Sequence, residues 1–331
     1  KVRGSFSSVG MPYPRNLTSP TYEYNEATQS WKPKTHYPIG DLKPERTDSW
    51  EVGLDMKLFK DFNLGLSWYL ANTFNQTFDP QISVSSGYTT IYLQTGYVRN
   101  TGLELSLGYG HTWNNNFRWD SNFTLSHNKN KIKELVRDYV HPETGELINK
   151  DRLDVGGLGK ARFILKEGGT LGDLYTQSDL KRDDNGMVDI DPTGIVAIEN
   201  NLPDIKLGSV FPKANLAWSN HFSWKGISLS ALFTARIGGI VYSATEAAMD
   251  QYGVSERSAL ARDNGGVLVN NRTLVDAQNY YTTIGSESGL PQYYTYNATN
   301  VRLQEASIGY LIPRKWLGNV CDIQVSVIGR N

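Results

Sequence analysis

The chain has 331 residues, with 33 Lys and Arg against 34 Asp and Glu, for a net charge of −1. That balance argues against nucleic acid as the main partner, since phosphate binding needs a clear basic excess. No run of about 18 apolar residues exists, so no transmembrane helix is expected, and the single cysteine, Cys321, leaves no intramolecular disulfide or thiolate metal cluster.

The first strong element starts at Trp50. Trp50, Val52, Leu54, Met56 and Leu58 alternate with Glu51, Gly53, Asp55 and Lys57. Period two predicts a strand over 50–58 with one apolar and one charged face. A second strand, 64–74, carries Leu66. In 102–110, Leu103, Leu105, Leu107 and Tyr109 oppose Glu104, Ser106 and Gly108. In 117–128, Phe117, Trp119, Phe123 and Leu125 oppose Arg118, Asp120, Asn122 and Thr124. No convincing amphipathic helix stands out, and 131–140 is the best candidate. Strands follow at 213–222 and 227–238, the latter setting Leu229 against Arg236, and near the end at Cys321, Ile323, Val325 and Val327.

The connections alternate. The turns after 58, 110 and 222 are a few residues long, whereas 10–47, 75–90, 129–160 and 239–298 are long. Short turns at one end and long loops at the other mark an outer-membrane barrel; loops beyond about 12–15 residues are uncommon in soluble domains. Aromatic residues flank the short turns: Phe59, Phe62, Tyr109, Trp113, Phe117, Trp119, Phe222 and Trp224. Such rings favour a membrane–water interface. The expectation is therefore an all-β fold, part of a large antiparallel transmembrane barrel. Leu54, Leu66, Leu105, Phe123, Leu229 and Val325 would face lipid. Asp55, Lys57, Glu104, Arg118, Asp120 and Arg236 would line the lumen. A soluble β-sandwich shares the alternation but explains neither the one-sided loops nor the aromatic girdle.

Six stretches resemble one family in order. "LKPERTDSWEVGLD" (42–55), "WYLANTFNQ" (68–76), "VRNTGLELSLGY" (98–109), "EGGTLGDLYTQSDLKRDDNGMVDID" (167–191), "GSVFPKANLAWSNHFSWKGISLSALFTARIGGIVYSAT" (208–245) and "VRLQEASIGYLIP" (301–313) with "GRN" (329–331) are similar to SusC/RagA-type TonB-dependent outer-membrane transporters. The resemblance implies that 1–331 is the later part of the barrel, about ten or eleven of roughly 22 strands. The plug domain, TonB box and final strands would lie outside this sequence, which starts at Lys1 without an initiator Met or apolar leader. The family's partners would be a SusD-like surface lipoprotein acting as a lid, TonB acting through the missing N-terminal region, outer-membrane lipid, and an oligosaccharide or peptide cargo. The resemblance also allows a dimer of transporter–lipoprotein pairs. The implied location is the outer membrane of a Gram-negative, Bacteroidota-like bacterium.

Nothing in the sequence points to bond chemistry. HExxH, GxSxG, Walker A and GxGxxG are absent, the five histidines are scattered, and no metal or cofactor site is expected. The stretch 183–191 fits no EF-hand loop and reads as a turn with Gly186 at positive φ. The aromatic, amide-rich loops hold the expected contacts with cargo or lid: Tyr88, Tyr92, Tyr280, Tyr281, Tyr293 and Tyr294, since ring faces beside amides suit sugars or peptides. Alternatives are a siderophore or cobalamin receptor within the same class, or a soluble secreted glycan-binding β-protein.

Overall fold

The computed structural model describes residues 1–13, 22–33, 36–37, 43–78, 90–113, 116–140, 145, 147–286 and 289–331. In chain order the principal strands are β1 (Val2–Met11), β2 (Glu45–Leu58), β3 (Phe62–Phe78), β4 (Leu93–Thr112) and β5 (Arg118–Glu134). Then come β6 (Arg152–Leu158), β7 (Ala161–Lys166), β8 (Asp173–Thr176) and β9 (Ile205–Ser209), followed by β10 (Ala214–Trp224), β11 (Ile227–Ile237), β12 (Asn300–Ile312) and β13 (Ile323–Arg330). Nine of these, β1–β5 and β10–β13, form one antiparallel meander in which every strand pairs with its neighbour in the series. The remaining four form a side sheet in the order β6–β7–β8–β9.

The register sorts the side chains of the large sheet into two continuous faces. One row runs Val2, Leu54, Leu66, Leu105, Leu125, Leu216, Ala235, Val301 across eight strands. The adjacent row on the opposite face runs Arg3, Gly53, Ser67, Glu104, Ser126, Asn215, Arg236, Asn300. A slip of one residue in any pair would interleave the rows, so the alternation of each strand sets the register of the next. Both β10 and β11 are 11 residues long, close to the length a tilted strand needs to cross a bilayer.

The turn end is tight. Lys225 and Gly226, both at positive φ (48° and 87°), close the β10–β11 hairpin, as expected for a two-residue turn that follows strand twist. The loop end carries everything else. Three short helices lie there, α1 (Ala244–Gln251), α2 (Glu256–Asp263) and α3 (Ala277–Gly285), together with the side sheet.

Both buried apolar clusters also sit at the loop end. One joins Leu180, Val188 and Val196 to Ala247, Val275, Tyr281, Ile284, Leu290 and Tyr294. The other packs Phe78, Leu93, Val98, Ile132 and Leu135 against Leu153 and Leu165 of the side sheet. Between these clusters and the short turns, the apolar face of the large sheet has no covering layer among the described residues. Trp50, Val52, Trp68, Leu107, Trp218, Leu229, Ile308 and Val325 all stand exposed.

Two sequence expectations change. The helix considered at 131–140 does not form. Strand β5 runs on to Glu134, and Val136–Val140 is a short strand paired with Leu147–Lys150. Ile132, Leu135 and Val136 are fully buried beneath the side sheet, and that tertiary burial overrides a weak local preference. Among the described residues the large sheet has nine strands, against the ten or eleven expected.

Candidate functional site

The polar face is concave. Residues from β1, β2, β3, β4, β5, β10, β11 and β12 converge on one cavity of about 1190 Å³. Asp55, Lys57, Glu104 and Arg236 line it, beside Arg3, Ser67 and Arg302. Arg118 and Asp120 share this face nearer the turns, where Arg118 grips Asp120 bidentately at 2.6 and 2.8 Å. Asp120 stands opposite His221, whose Nδ1 lies 2.8 Å from Ser230 Oγ. Small residues (Gly53, Gly65, Ser106, Gly108, Thr124, Ala217) occupy much of the same face, which leaves room above it.

Leu54, Leu66, Leu105, Phe123, Leu229 and Val325 all lie on the opposite, apolar face. Toward the turns this face ends in a continuous aromatic run. Phe62 and Tyr109 are 4.7 Å apart, Tyr109 and Trp119 5.1 Å, and Trp119 and Phe222 5.8 Å. Each ring comes from a different strand, so the run spans four strands.

The loop region between β11 and β12 is a folded unit. Ser243, Ser255 and Asp276 cap the three helices by accepting from the N–H groups of Glu246, Ser258 and Asn279, which satisfies otherwise orphaned donors. Its centre is a buried charge. The Asp250 carboxylate accepts from Ser255 Oγ and from Tyr294 OH at 2.8 Å, and Arg257 Nη2 sits 2.6 Å away. The Arg257 guanidinium lies over the Tyr294 ring, 4.8 Å from its centroid. Asn270 ties this unit to the 183–191 turn by pairing with both backbone groups of Val188. Gln292 Nε2 ties the unit to the preceding stretch by donating to the Ser178 carbonyl and to Asp179 Oδ1. Within that turn Gly186 has φ 76° and donates to Asp183 O.

The six tyrosines named from the sequence do not form one surface. Tyr294 has no exposed area and Tyr281 only 9%. These two are core residues of the loop unit, which corrects the contact role expected for them. Their rings fill the space between α1, α3 and the 180–198 segment. Tyr280 and Tyr293 are partly buried against the same core. Burial pushes the Tyr280 phenol up to about 12. Tyr92 packs on the second cluster, and Tyr88 lies outside the described residues. Sequence reading also missed Asp250 and Arg257. Ser243 and Glu246, three apart ahead of a short apolar run, are a capping-box signal that could have found the helix carrying Asp250. No cluster of three or more metal-type ligands occurs among the described residues.

A two-faced antiparallel wall, apolar outside and polar inside, with one aromatic rim and folded loops at the other end, defines the class of β-barrel membrane proteins. The family model for TonB dependent receptor-like β-barrels matches residues 1–171, and the chain belongs to that family, whose members are outer-membrane receptors. It is 24% identical over 324 residues to TonB-dependent receptor P3 of Formosa agariphila, an alignment covering 90% of this chain and 30% of that one. It is 27% identical over 178 residues to receptor P39 of the same organism, covering 54% of this chain and 15% of that one. The fold is that of the RagAB peptide transporter structure, with TM-score 0.72 and 18% identity over 100% of this chain and 36% of that one. The chain thus spans about a third of the length of the first of these receptors and of that transporter chain.

Proposed function

We propose that this chain forms a stretch of barrel wall, with its extracellular loops, in a TonB-dependent importer of nutrient oligomers, oligosaccharides or peptides, across the outer membrane of a Bacteroidota-like bacterium. The observation that carries the reading is the uncovered apolar face. An apolar surface spanning nine strands has no place in water, and lipid is the solvent that matches it. On this reading Leu54, Leu66, Leu105, Phe123, Leu229 and Val325 touch lipid. Asp55, Lys57, Glu104, Arg118, Asp120 and Arg236 line the lumen or meet a plug held elsewhere in the full-length protein.

Unpaired strand edges are not viable in lipid, so further strands complete the barrel beyond β1 and β13. The loop end faces outward and meets a SusD-like lipoprotein lid and the cargo, with Tyr280, Tyr293 and Tyr92 as the remaining contact candidates. The likeness to the RagAB transporter, a peptide transporter by name, supports a peptide among the cargo classes. The chain supplies wall and recognition surface rather than a catalyst.

The test is uptake of labelled oligosaccharides and peptides by cells expressing the full-length protein, with and without an inner-membrane proton gradient, alongside recovery of co-purifying lipoprotein. Gradient-dependent uptake with a retained lipoprotein is the expected result. A protein that stays in the aqueous phase without detergent overturns it.

A further inference from the structure

The apolar face does not fade evenly into solvent at the loop end. On β5 the outward row reads Trp119, Ser121, Phe123, Leu125 and then His127, Lys129, Lys131. Lys133 follows at the bulge. The cations begin at Lys129, two outward positions beyond Leu125. Lys129 and Lys131 are about 6.7 Å apart along the strand. Directly across from Lys131, on the same face of β4, is Arg99. The Arg99 guanidinium is held by two neutral acceptors: Nε donates to Asn72 Oδ1 at 2.8 Å and Nη2 to Tyr97 OH at 2.5 Å. Those bonds fix its position without cancelling its charge.

Elsewhere in the chain, cations are commonly paired with carboxylates, as Arg152 is with Asp204, Arg118 with Asp120 and Arg330 with Glu305. No ion pair forms at Lys129, Lys131 or Lys133 among the described residues. Lys129 and Lys133 are exposed and Lys131 is half-buried. The inner face at the same height is neutral: Asn128 and Asn130 both donate to Asn100. The positive charge is therefore confined to the outward side, one or two residue pairs above the apolar band.

We propose that Arg99, Lys129 and Lys131 form a binding site for the phosphate group of a membrane lipid headgroup in the leaflet at the loop end. A surface continuous with the apolar band sits at headgroup depth once the band is in a bilayer. Clustered, unpaired cations at that depth are complementary to an anionic headgroup. Arg99 gives a fork fixed through Nε and Nη2, and the two lysines supply mobile point charges. This inference rests on the membrane reading above.

The test uses the full-length protein reconstituted in nanodiscs that contain a monophosphorylated glycolipid or the same lipid with its phosphate removed. Bound lipid is counted by native mass spectrometry. The wild-type protein should retain the phosphorylated lipid preferentially. Lys129→Glu with Lys131→Glu should lower that retention roughly tenfold or more, and Lys129→Arg with Lys131→Arg should keep it. Equal retention of the two lipids by folded wild-type protein, displacement by millimolar inorganic phosphate, or loss of a bound protein rather than lipid in the Glu variant would each overturn the site. Failure of the wild-type protein to enter nanodiscs at all would overturn the membrane reading as well, and is read separately from the lipid count.

Discussion

Arg3 donates from Nη1 to Asp55 Oδ2 at 2.6 Å and from Nη2 to Ser67 Oγ at 2.6 Å, so one side chain of the first strand ties down the next two. It does so by lying flat over Gly53. A Cβ there would meet Arg3 Nε at 2.5 Å and Cγ at 2.8 Å. The glycine is the space through which the edge strand is latched.

Gly53→Val is expected to displace Arg3 and destabilise the β1–β2 pairing by about 1–3 kcal/mol. Adding Arg3→Ala should relieve the crowding, so the double variant costs less than the sum of the single ones. Equilibrium unfolding of the three variants checks this, and strict additivity would contradict it.

The two faces predict opposite responses at adjacent positions. Leu105→Arg, on the apolar row, should cost about 2–4 kcal/mol in bilayer insertion. Ser106→Arg, on the concave face, should be tolerated. Folding yields into lipid vesicles compare the two directly; equal yields would put Leu105 away from lipid.

Removing the buried carboxylate should unravel the loop unit without touching the wall. Asp250→Ala leaves Arg257 without its closest partner, a loss of about 3–5 kcal/mol. Tyr294→Phe removes one hydrogen bond to Asp250, about 1–3 kcal/mol. Limited proteolysis within 243–297, with the barrel band unchanged on a gel, is the expected signature for Asp250→Ala.

Acid should act on the side sheet late. Asp204 is held well below the usual carboxylate range by its hydrogen bond from Arg152, and by Lys166, against the cost of burial. A depressed carboxyl contributes stability that is fully present above its unfolded value of about 3.9 and fades as pH falls through the lower folded value. Hydrogen exchange of β6–β7 amides should therefore be protected equally at pH 7 and pH 5 and lose protection only below about pH 4. Asp204→Asn should lower protection at pH 7 and flatten that dependence.

Base should act on the loop core. Burial pushes the Tyr280 phenol up to about 12, and burial with the Asp250 hydrogen bond pushes Tyr294 up as well. A raised phenol contributes stability that is fully present below its unfolded value of about 10 and is lost as pH climbs above it, where only the unfolded chain has given up its proton. That loss stops growing once pH passes the folded value. Absorbance titration should show these two rings ionising after the exposed tyrosines. Ionisation of all rings together near pH 10 would contradict the burial.

Period-two alternation in 50–58, 102–110 and 227–238 determined, from the sequence alone, that these are strands and which residues share a face, because side-chain direction in a strand follows directly from residue number. Loop lengths separated the two ends of the wall for the same local reason. The tertiary structure decided the rest. Tyr281 and Tyr294 looked like surface aromatics, since a loop tyrosine carries no local mark of burial; only the packing of α1 and α3 on the distant 180–198 segment made them core. Asp250 and Arg257 carry no local mark of pairing, and only folding brings them within 2.6 Å. Ile132 and Val136 sat in a helix-like run, and the side sheet, closing over them from residues 152–166 onward, drew them into two successive strands. In each case the deciding partner is remote in sequence, and contacts of that kind leave no periodicity to read.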